Sequence, residues 1–271
     1  MRRVGWVMGA VVALVAVSTP AGAARAAALP GGYPLWTLQL NLCNSGIASC
    51  YEGGQSIPEA AGVIRSWAPD VVTLNEVCRG DVQNALYAAM QQAWPGQQVF
   101  WAFAPALNKA QNAPYQCANG DQYGIGIVGH LVGTTGVVTT LSGHYPDQDG
   151  GNEGRAWLCV QAAGQYDACT THLSKTGSMA MTQCRYLMGM VIPGTVWASG
   201  GRVPTVVGAD LNLKYRGSPN AQDCVPAGWY RKGDGSVQHV LATADLRFDF
   251  TQKIGLSHTD HPGWLVGVLA P

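Results

Sequence analysis

Four apolar runs of this chain each carry a polar residue at or just beyond their far end, and that pattern constrains the fold more than any other feature. Leu35 to Leu42 carries Asn41, and Asp70 to Asn75 delivers Glu76. Tyr166 to Leu173 carries His172, and Val203 to Val207 leads into Gly208-Ala209-Asp210-Leu211-Asn212. A short, β-branched, nearly continuous apolar run is the signature of a strand buried on both faces. Helical segments separate the runs in pairs. Ile57 to Trp67, with Ser56 as N-cap and Pro58 in the first turn, lies between the first two. Met179 to Val191, with Met181, Leu187, Met188 and Val191 recurring on one side, lies between the last two. Strand ends of such sheets are where catalytic groups gather.

The remaining pattern mixes a helix (Val82 to Ala93) with strands at Gln98 to Phe103, Gly124 to Val128, Val132 to Leu141, Ala156 to Gln161, Leu246 to Phe250 and Trp264 to Leu269. Pro105 to Gln122 and Lys214 to Val237 read as loops. Runs of adjacent strands interleaved with helices favour an α/β (α+β) architecture. The expectation is a four-layer sandwich, two stacked mixed β-sheets flanked by helices, over a purely parallel doubly wound sheet.

Arg2 and Arg3, the apolar run Val4 to Val17 and the small residues through Ala28 have the layout of a secretory signal peptide, expected over 1–28. The apolar run is shorter than the ~20 residues a bilayer-spanning helix needs, and no second one follows. Residues 29–271 are then expected to be exported and without a transmembrane segment, a length that fits one large domain or two small ones. All eight cysteines fall there, and an even count in an exported chain implies disulfides. Spacing suggests local bridges Cys43–Cys50 and Cys159–Cys169, the second stapling a hairpin around Ala163-Gly164. Cys78–Cys117 and Cys184–Cys224 then remain. Net charge is zero and no basic run is present, which argues against a tight nucleic-acid-binding module but not against a phosphate-bearing substrate. No stable protein partner is implied.

The chemistry expected of the polar strand ends follows from residue type. Glu76 follows a buried run, where a carboxylate is costly unless paired or bound to a cation. Asp210 and Asn212 alternate about Leu211, so both can face one way and hold a water and a phosphoryl oxygen. His172 and His261 are candidate acid and base because imidazole titrates near neutrality. His130, His144, His239 and His258 lack the neighbour that marks His261: Asp260 adjoins it, and Asp249 lies upstream in Arg247-Phe248-Asp249-Phe250.

In order along the chain, Leu40-Asn41-Leu42, Asn75-Glu76-Val77, Tyr123-Gly124, Glu153-Gly154-Arg155-Ala156, Thr171-His172-Leu173, Gly208-Ala209-Asp210-Leu211-Asn212, Arg247-Phe248-Asp249-Phe250 and Thr259-Asp260-His261 resemble the motif series of the endonuclease/exonuclease/phosphatase superfamily, the deoxyribonuclease I-like fold. The resemblance spans nearly all of the chain after residue 28. It implies a metal-dependent phosphoric ester hydrolase, with Glu76, Asn41 and Asp260 holding Mg²⁺ (or Mn²⁺). It further implies His261 as general base oriented by Asp249, Asp210 and Asn212 positioning water and phosphoryl group, and His172 on the phosphate or leaving oxygen. Arg155 would clamp phosphate or pair with Glu153. The chain departs from the pattern after Tyr123, where Ile125 and Gly129-His130 stand in place of Asn and Ser-Arg.

The substrate expected is a phosphate ester, with extracellular DNA or RNA foremost. A sphingomyelinase-type phospholipase C, with Trp229-Tyr230 as its candidate lipid contact or else a plug on the core, or a small-molecule phosphatase on the same fold, is the rival. A disulfide-rich binding module on an inactive scaffold is the reading of another class.

Overall fold

The computed structural model describes residues 28–271; of the expected signal segment, 1–27 lie outside the described residues. Among those described, no helix is long and apolar enough to cross a membrane.

The first sheet contains β1 (Pro34–Asn41), β2 (Val71–Cys78), β3 (Val99–Pro105), β6 (Tyr123–His130), β14 (Arg247–Ile254) and β15 (Gly263–Leu269), in the order β14-β15-β1-β2-β6-β3. The second contains β7 (Val138–His144), β9 (Ala156–Ala162), β10 (Tyr166–His172), β11 (Thr205–Asp210), β12 (Trp229–Gly233) and β13 (Gln238–Thr243), in the order β12-β13-β11-β10-β9-β7. A small three-stranded sheet joins β4 (Leu107–Asn108) and β5 (Ala113–Pro114), both inside the segment Pro105 to Gln122 that reads from sequence as a loop, to β8 (Glu153–Gly154).

Each large sheet holds one parallel pair, β1/β2 in the first and β10/β11 in the second. Helix α1 (Ser56–Trp67) crosses between the first pair, and the helical stretch 177–200 (α3) crosses between the second. A second helical stretch, 79–93 (α2), packs with α1 behind the first sheet. Helix α3 lies on the outer face of the second sheet. Between the sheets sits a third apolar layer built from residues such as Leu35, Val71, Phe100, Tyr166 and Val206. The result is the expected four-layer sandwich.

Because side chains alternate along a strand, Leu35, Thr37, Gln39 and Asn41 share the inner face of β1, and Val71, Thr73 and Asn75 share that of β2. Along the carboxyl direction this inner layer changes from apolar to polar while staying buried: Gln39, Thr73, Asn75, Thr170, Asp210 and Gln238 are all at or below 1 % exposure. The sheets come closest here. A Cβ on Gly208 would sit 2.0 Å from Thr73 Oγ1, so only glycine fits.

All four expected disulfides are formed. Cys159 and Cys169 are directly opposed in the β9–β10 hairpin, whose turn residues Ala163 (φ 53°) and Gly164 (φ 79°) have the positive φ pair of a type I′ turn.

Some local expectations fail. Ser56 is not the N-cap: Gln55 holds that position without a side-chain bond, and Ser56 Oγ instead donates to Asn44 Oδ1 at 3.3 Å. The strand expected from Val132 begins only at Val138. The loop expected over 214–237 contains β12, and β13 has no counterpart in the sequence reading.

Candidate active site

The two parallel pairs deliver their carboxyl ends to one edge of the sandwich. Asn41 is in register with Asn75, one residue before Glu76, and His172 is in register with Asp210. At Glu76 the β2/β6 ladder shifts register, and the residue adopts φ 55°. A non-glycine residue held in that left-handed region is strained, the more so in a strand, and such strain clusters at functional sites.

Asn41 bridges two acids. Its Nδ2 donates to Glu76 Oε1 at 3.0 Å and to Asp210 Oδ2 at 3.1 Å, while its Oδ1 accepts from the Cys43 N–H at 3.2 Å. His172 Nε2 lies 3.8 Å from Glu76 Oε1, and His261 Nε2 lies 3.7 Å from Asp210 Oδ2. Both separations exceed a hydrogen bond. Asp210 Oδ1 accepts the Asn212 N–H at 2.9 Å, and Asn212 (φ 49°) donates Nδ2 to Leu173 O at 2.8 Å. Asn212 is therefore fixed to the end of β10 as well as to Asp210.

The loop bearing His261 is held from α1. Glu59 accepts the N–H groups of Ser257 at 2.7 Å and His258 at 3.0 Å, and Thr259 Oγ1 donates to Asn41 O at 2.8 Å.

Behind Asp210 lies a chain of buried amides whose orientation one backbone group fixes. The Asp210 N–H can only donate, and it donates to Asn75 Oδ1 at 2.9 Å. Gln39 Nε2 donates to the same oxygen at 2.7 Å and to Gln238 Oε1 at 3.0 Å, while Gln39 Oε1 accepts from Thr73 Oγ1 at 2.6 Å. Gln238 must then turn its NH₂ outward, and Nε2 donates to Asp210 Oδ2 at 2.7 Å. The relay spans both sheets and ends by presenting a donor to a carboxylate, which favours the ionised form.

Burial opposes that form. It is the main cause that pushes the Asp210 carboxyl up, with His261, Asn41, the Asn212 N–H and Gln238 pulling it back. Burial also raises Glu76; the Asn41 hydrogen bond and Lys175 offset this, and Glu153 and Asp210 add to it. His172 is held well below the usual imidazole range by burial first, then by Arg155, Lys175 and His261. It is neutral at physiological pH, a hydrogen-bonding group rather than a cation.

Three expectations are corrected by this geometry. Asp249 does not orient His261. It sits exposed in the bulge between Phe248 and Phe250 on an edge strand, whereas Ile254, five residues on, pairs with Gly263 near His261. At ~3.3 Å per residue that places Asp249 roughly 16 Å along the strand. The carboxylates facing His261 are Asp210 and, at 3.7 Å, Asp260 Oδ1. Asp260 does not join Glu76: its side chain is 56 % exposed and lies against the Cys43–Cys50 bridge. Asn41 presents its NH₂, not its oxygen, to Glu76. Arg155 takes the pairing alternative, with Nη1 2.8 Å from Glu153 Oε1, yet it is 5 % exposed, adjoins His172, and its Nε has no partner.

Sequence reasoning missed Gln238 and Glu59 altogether. In Val237 to Thr243 the pair Gln238-His239 interrupts the apolar character, so no strand is read there, and Arg247-Phe248-Asp249-Phe250 takes the motif assignment instead. His239 itself is structural, with Nε2 2.8 Å from Leu213 O and Nδ1 accepting from Arg231. His130 is structural too, bonded to Asp70 at 2.9 Å and stacked on Trp94.

Whether the residues fit a divalent cation can be judged from Glu76. It is a largely buried carboxylate, raised by burial, with no ion pair inside hydrogen-bond range and two further acids acting on it. Among the described residues no three His, Asp or Glu ligand atoms lie within 4.8 Å of one another; the one cluster found includes two disulfide sulfurs. Mg²⁺ commonly takes one or two carboxylates and completes its shell with water and substrate phosphate, so Glu76 suits it where a full protein cage is absent.

No family model matches the sequence, and no curated protein does. Solved structures do. An endonuclease/exonuclease/phosphatase protein of Beutenbergia cavernae superposes with a TM-score of 0.60 at 19 % identity over 88 % of this chain and 72 % of its own. Truncated TDP2 of Caenorhabditis elegans gives 0.56 at 14 % over 89 % and 99 %. ANGEL2, a 2′,3′-cyclic phosphatase, gives 0.62 at 12 % over 88 % and 95 %. The chain has the endonuclease/exonuclease/phosphatase fold, the deoxyribonuclease I-like sandwich. At these identities what is shared is the fold.

Proposed function

We propose that the protein is an exported, Mg²⁺-dependent phosphodiesterase, foremost a nuclease acting on DNA or RNA outside the cell, with 29–271 as one catalytic domain. The observation that carries the reading is the convergence of Glu76, Asn41, His172, Asp210, Asn212 and His261 on one edge of the two sheets. That the fold is shared with a 2′,3′-cyclic phosphatase supports phosphoric ester chemistry. Four disulfides support export.

A cation held at Glu76 would neutralise charge developing on the phosphoryl oxygens. Asp210 Oδ2 and His261 Nε2, 3.7 Å apart, bracket a position from which one water could bond to both. His261 takes the proton of the attacking water, and Asp210 accepts that water's other hydrogen bond and faces the imidazolium that forms. His172, neutral, donates to a phosphoryl oxygen without adding positive charge. Asn212, clamped to Leu173, limits where the phosphoryl group sits.

The test is supercoiled plasmid incubated with Mg²⁺ or with excess EDTA. Nicking with Mg²⁺ alone, abolished in His261→Ala, is expected. Hydrolysis by His261→Ala equal to the parent's would remove the base assigned here, and binding without hydrolysis in any metal would favour an inactive scaffold.

A phospholipase C of the sphingomyelinase type is the second reading, favoured by Ile47, which is 58 % exposed at the rim of the cleft. Trp229-Tyr230 does not support it: Trp229 stacks on Trp197 with centroids 6.1 Å apart, and Tyr230 packs on the inter-sheet core. Turnover of sphingomyelin vesicles without plasmid nicking would select it.

A further inference from the structure

The cleft at Glu76 and His172, about 120 Å³, continues into a larger open groove of about 580 Å³, and Tyr115, Glu153 and Lys175 line both. A volume of that order suits a small organic ligand rather than a lone phosphate, since ligand clefts run ~300–1,000 Å³.

Its walls are prearranged. Tyr115 is half-buried on the loop that Cys78–Cys117 ties to the end of β2, two residues from Glu76. The Tyr115 N–H donates to Ala106 O at 2.8 Å, and the ring packs edge-on against Tyr123 at 5.7 Å. Gly150 and Gly151 contribute bare backbone to the same groove, and a Cβ on Gly150 would meet nothing within 4 Å. Asn152 is fixed by Asn108 at 3.0 Å and by the Ala110 N–H at 2.8 Å.

The groove's charges are also sorted. Glu153 is paired with Arg155, and Asp149 accepts from Ser174 Oγ and the Gly151 N–H. Lys175 is exposed and makes no ion pair among the described residues, and its charge reaches both Glu76 and His172. One aromatic face, a polar backbone floor and one unpaired cation beside the catalytic edge form a poor slot for an acyl chain. They match a flat heteroaromatic base joined to a phosphate.

We infer that this groove is a subsite for the nucleoside adjoining the scissile phosphate of a single-stranded nucleic acid, Tyr115 stacking an unpaired base and Lys175 holding the next phosphate. A base inside a duplex has both faces covered by its neighbours, so a ring recessed in a groove selects unstacked bases. The inference rests on the phosphodiesterase reading and deepens it.

Two measurements separate the subsite from that reading. The first is binding of a fluorescein-labelled oligothymidylate, read by anisotropy with Ca²⁺ in place of Mg²⁺. The second is kcat/KM on the unlabelled oligothymidylate relative to methyl p-nitrophenyl phosphate, a diester without a nucleobase. Tyr115→Ala is expected to weaken oligonucleotide binding about 5- to 150-fold, the range of one lost base stack. The oligonucleotide-to-diester ratio should fall in step, and Tyr115→Phe should restore both. Lys175→Met is expected to flatten the salt dependence by about 0.7 in the log–log slope. Tyr115→Leu, which keeps bulk without the π face, serves if the alanine variant does not fold. Oligonucleotide affinity independent of Tyr115, or equal losses on both substrates, would overturn the subsite. Tyr115-dependent binding without hydrolysis of either substrate would uphold the subsite and defeat the phosphodiesterase reading.

Discussion

Gln238 Nε2 donates to Asp210 Oδ2 at 2.7 Å, the shorter of the two amide contacts that reach this carboxylate oxygen. Since Gln238 Oε1 is occupied by Gln39, the glutamine cannot turn over without breaking a relay that ends at Asp210's own N–H. Gln238→Leu should therefore lower kcat by 10-fold or more while KM stays within about 3-fold, because the carboxylate is misaimed rather than the substrate released. Leaving buried partners unsatisfied should also cost about 1–3 kcal/mol of stability. Steady-state kinetics and denaturant unfolding check this; a change in KM alone would contradict it.

Burial raises the Glu76 carboxyl, so its charge opposes folding when no cation is bound. Glu76→Gln should then be at least as stable as the parent in EDTA. In millimolar Mg²⁺ the parent's Tm should rise while the variant's does not. Differential scanning fluorimetry with and without Mg²⁺ decides it, and equal shifts would show that the cation sits elsewhere.

Asp167, 1 % exposed at the opposite end of β10, has a carboxylate oxygen without a partner, and burial pushes its carboxyl up to about 7. The folded state holds the proton to higher pH than the unfolded chain. Its contribution is thus intact below about pH 4 and is lost progressively as pH rises to about 7. Asp167→Asn should stabilise the protein at pH 8, by up to about 4 kcal/mol at 1.36 kcal/mol per unit, and change little at pH 4. His239, lowered to about 4 chiefly by burial, acts with the opposite sign: it costs stability as pH falls from about 6.5 to 4. Urea unfolding of the single variants across pH 4–8 separates the two.

Cys78–Cys117 closes a 39-residue separation and fixes the loop that carries Tyr115. Replacing both cysteines by alanine should cost about 4 kcal/mol on the chain-entropy account. The loss in oligonucleotide affinity should exceed that caused by removing Cys184–Cys224, which lies behind the second sheet, even when both variants are assayed well below their Tm.

Much of the sandwich was legible locally. Asp70 to Asn75 announces a buried strand by composition, and Ala163-Gly164 between two apolar runs announces the hairpin that Cys159–Cys169 staples. The short cysteine spacings suggest two of the four bridges, but the remaining four cysteines can pair in three ways, and the structure selects Cys78–Cys117 and Cys184–Cys224. Strand 238–243 was not legible, because a strand covered on both faces yet carrying Gln and His has no pattern that one sequence can separate from a loop.

The amino-acid sequence by itself determined that Asn41, Glu76, His172 and Asp210 lie at or next to strand ends. Hydrophobic runs and their termination are properties of neighbouring residues. Tertiary structure alone decided which of these groups meet. It put Gln238 and not Asp249 behind the His261–Asp210 pair, turned Asn41 into a donor bridging two acids, and left Asp260 beside a disulfide. Those outcomes depend on sheet order and on the registry of one sheet over the other, which bring Gln39 and Gln238, 199 positions apart, within a hydrogen bond. No local periodicity records them.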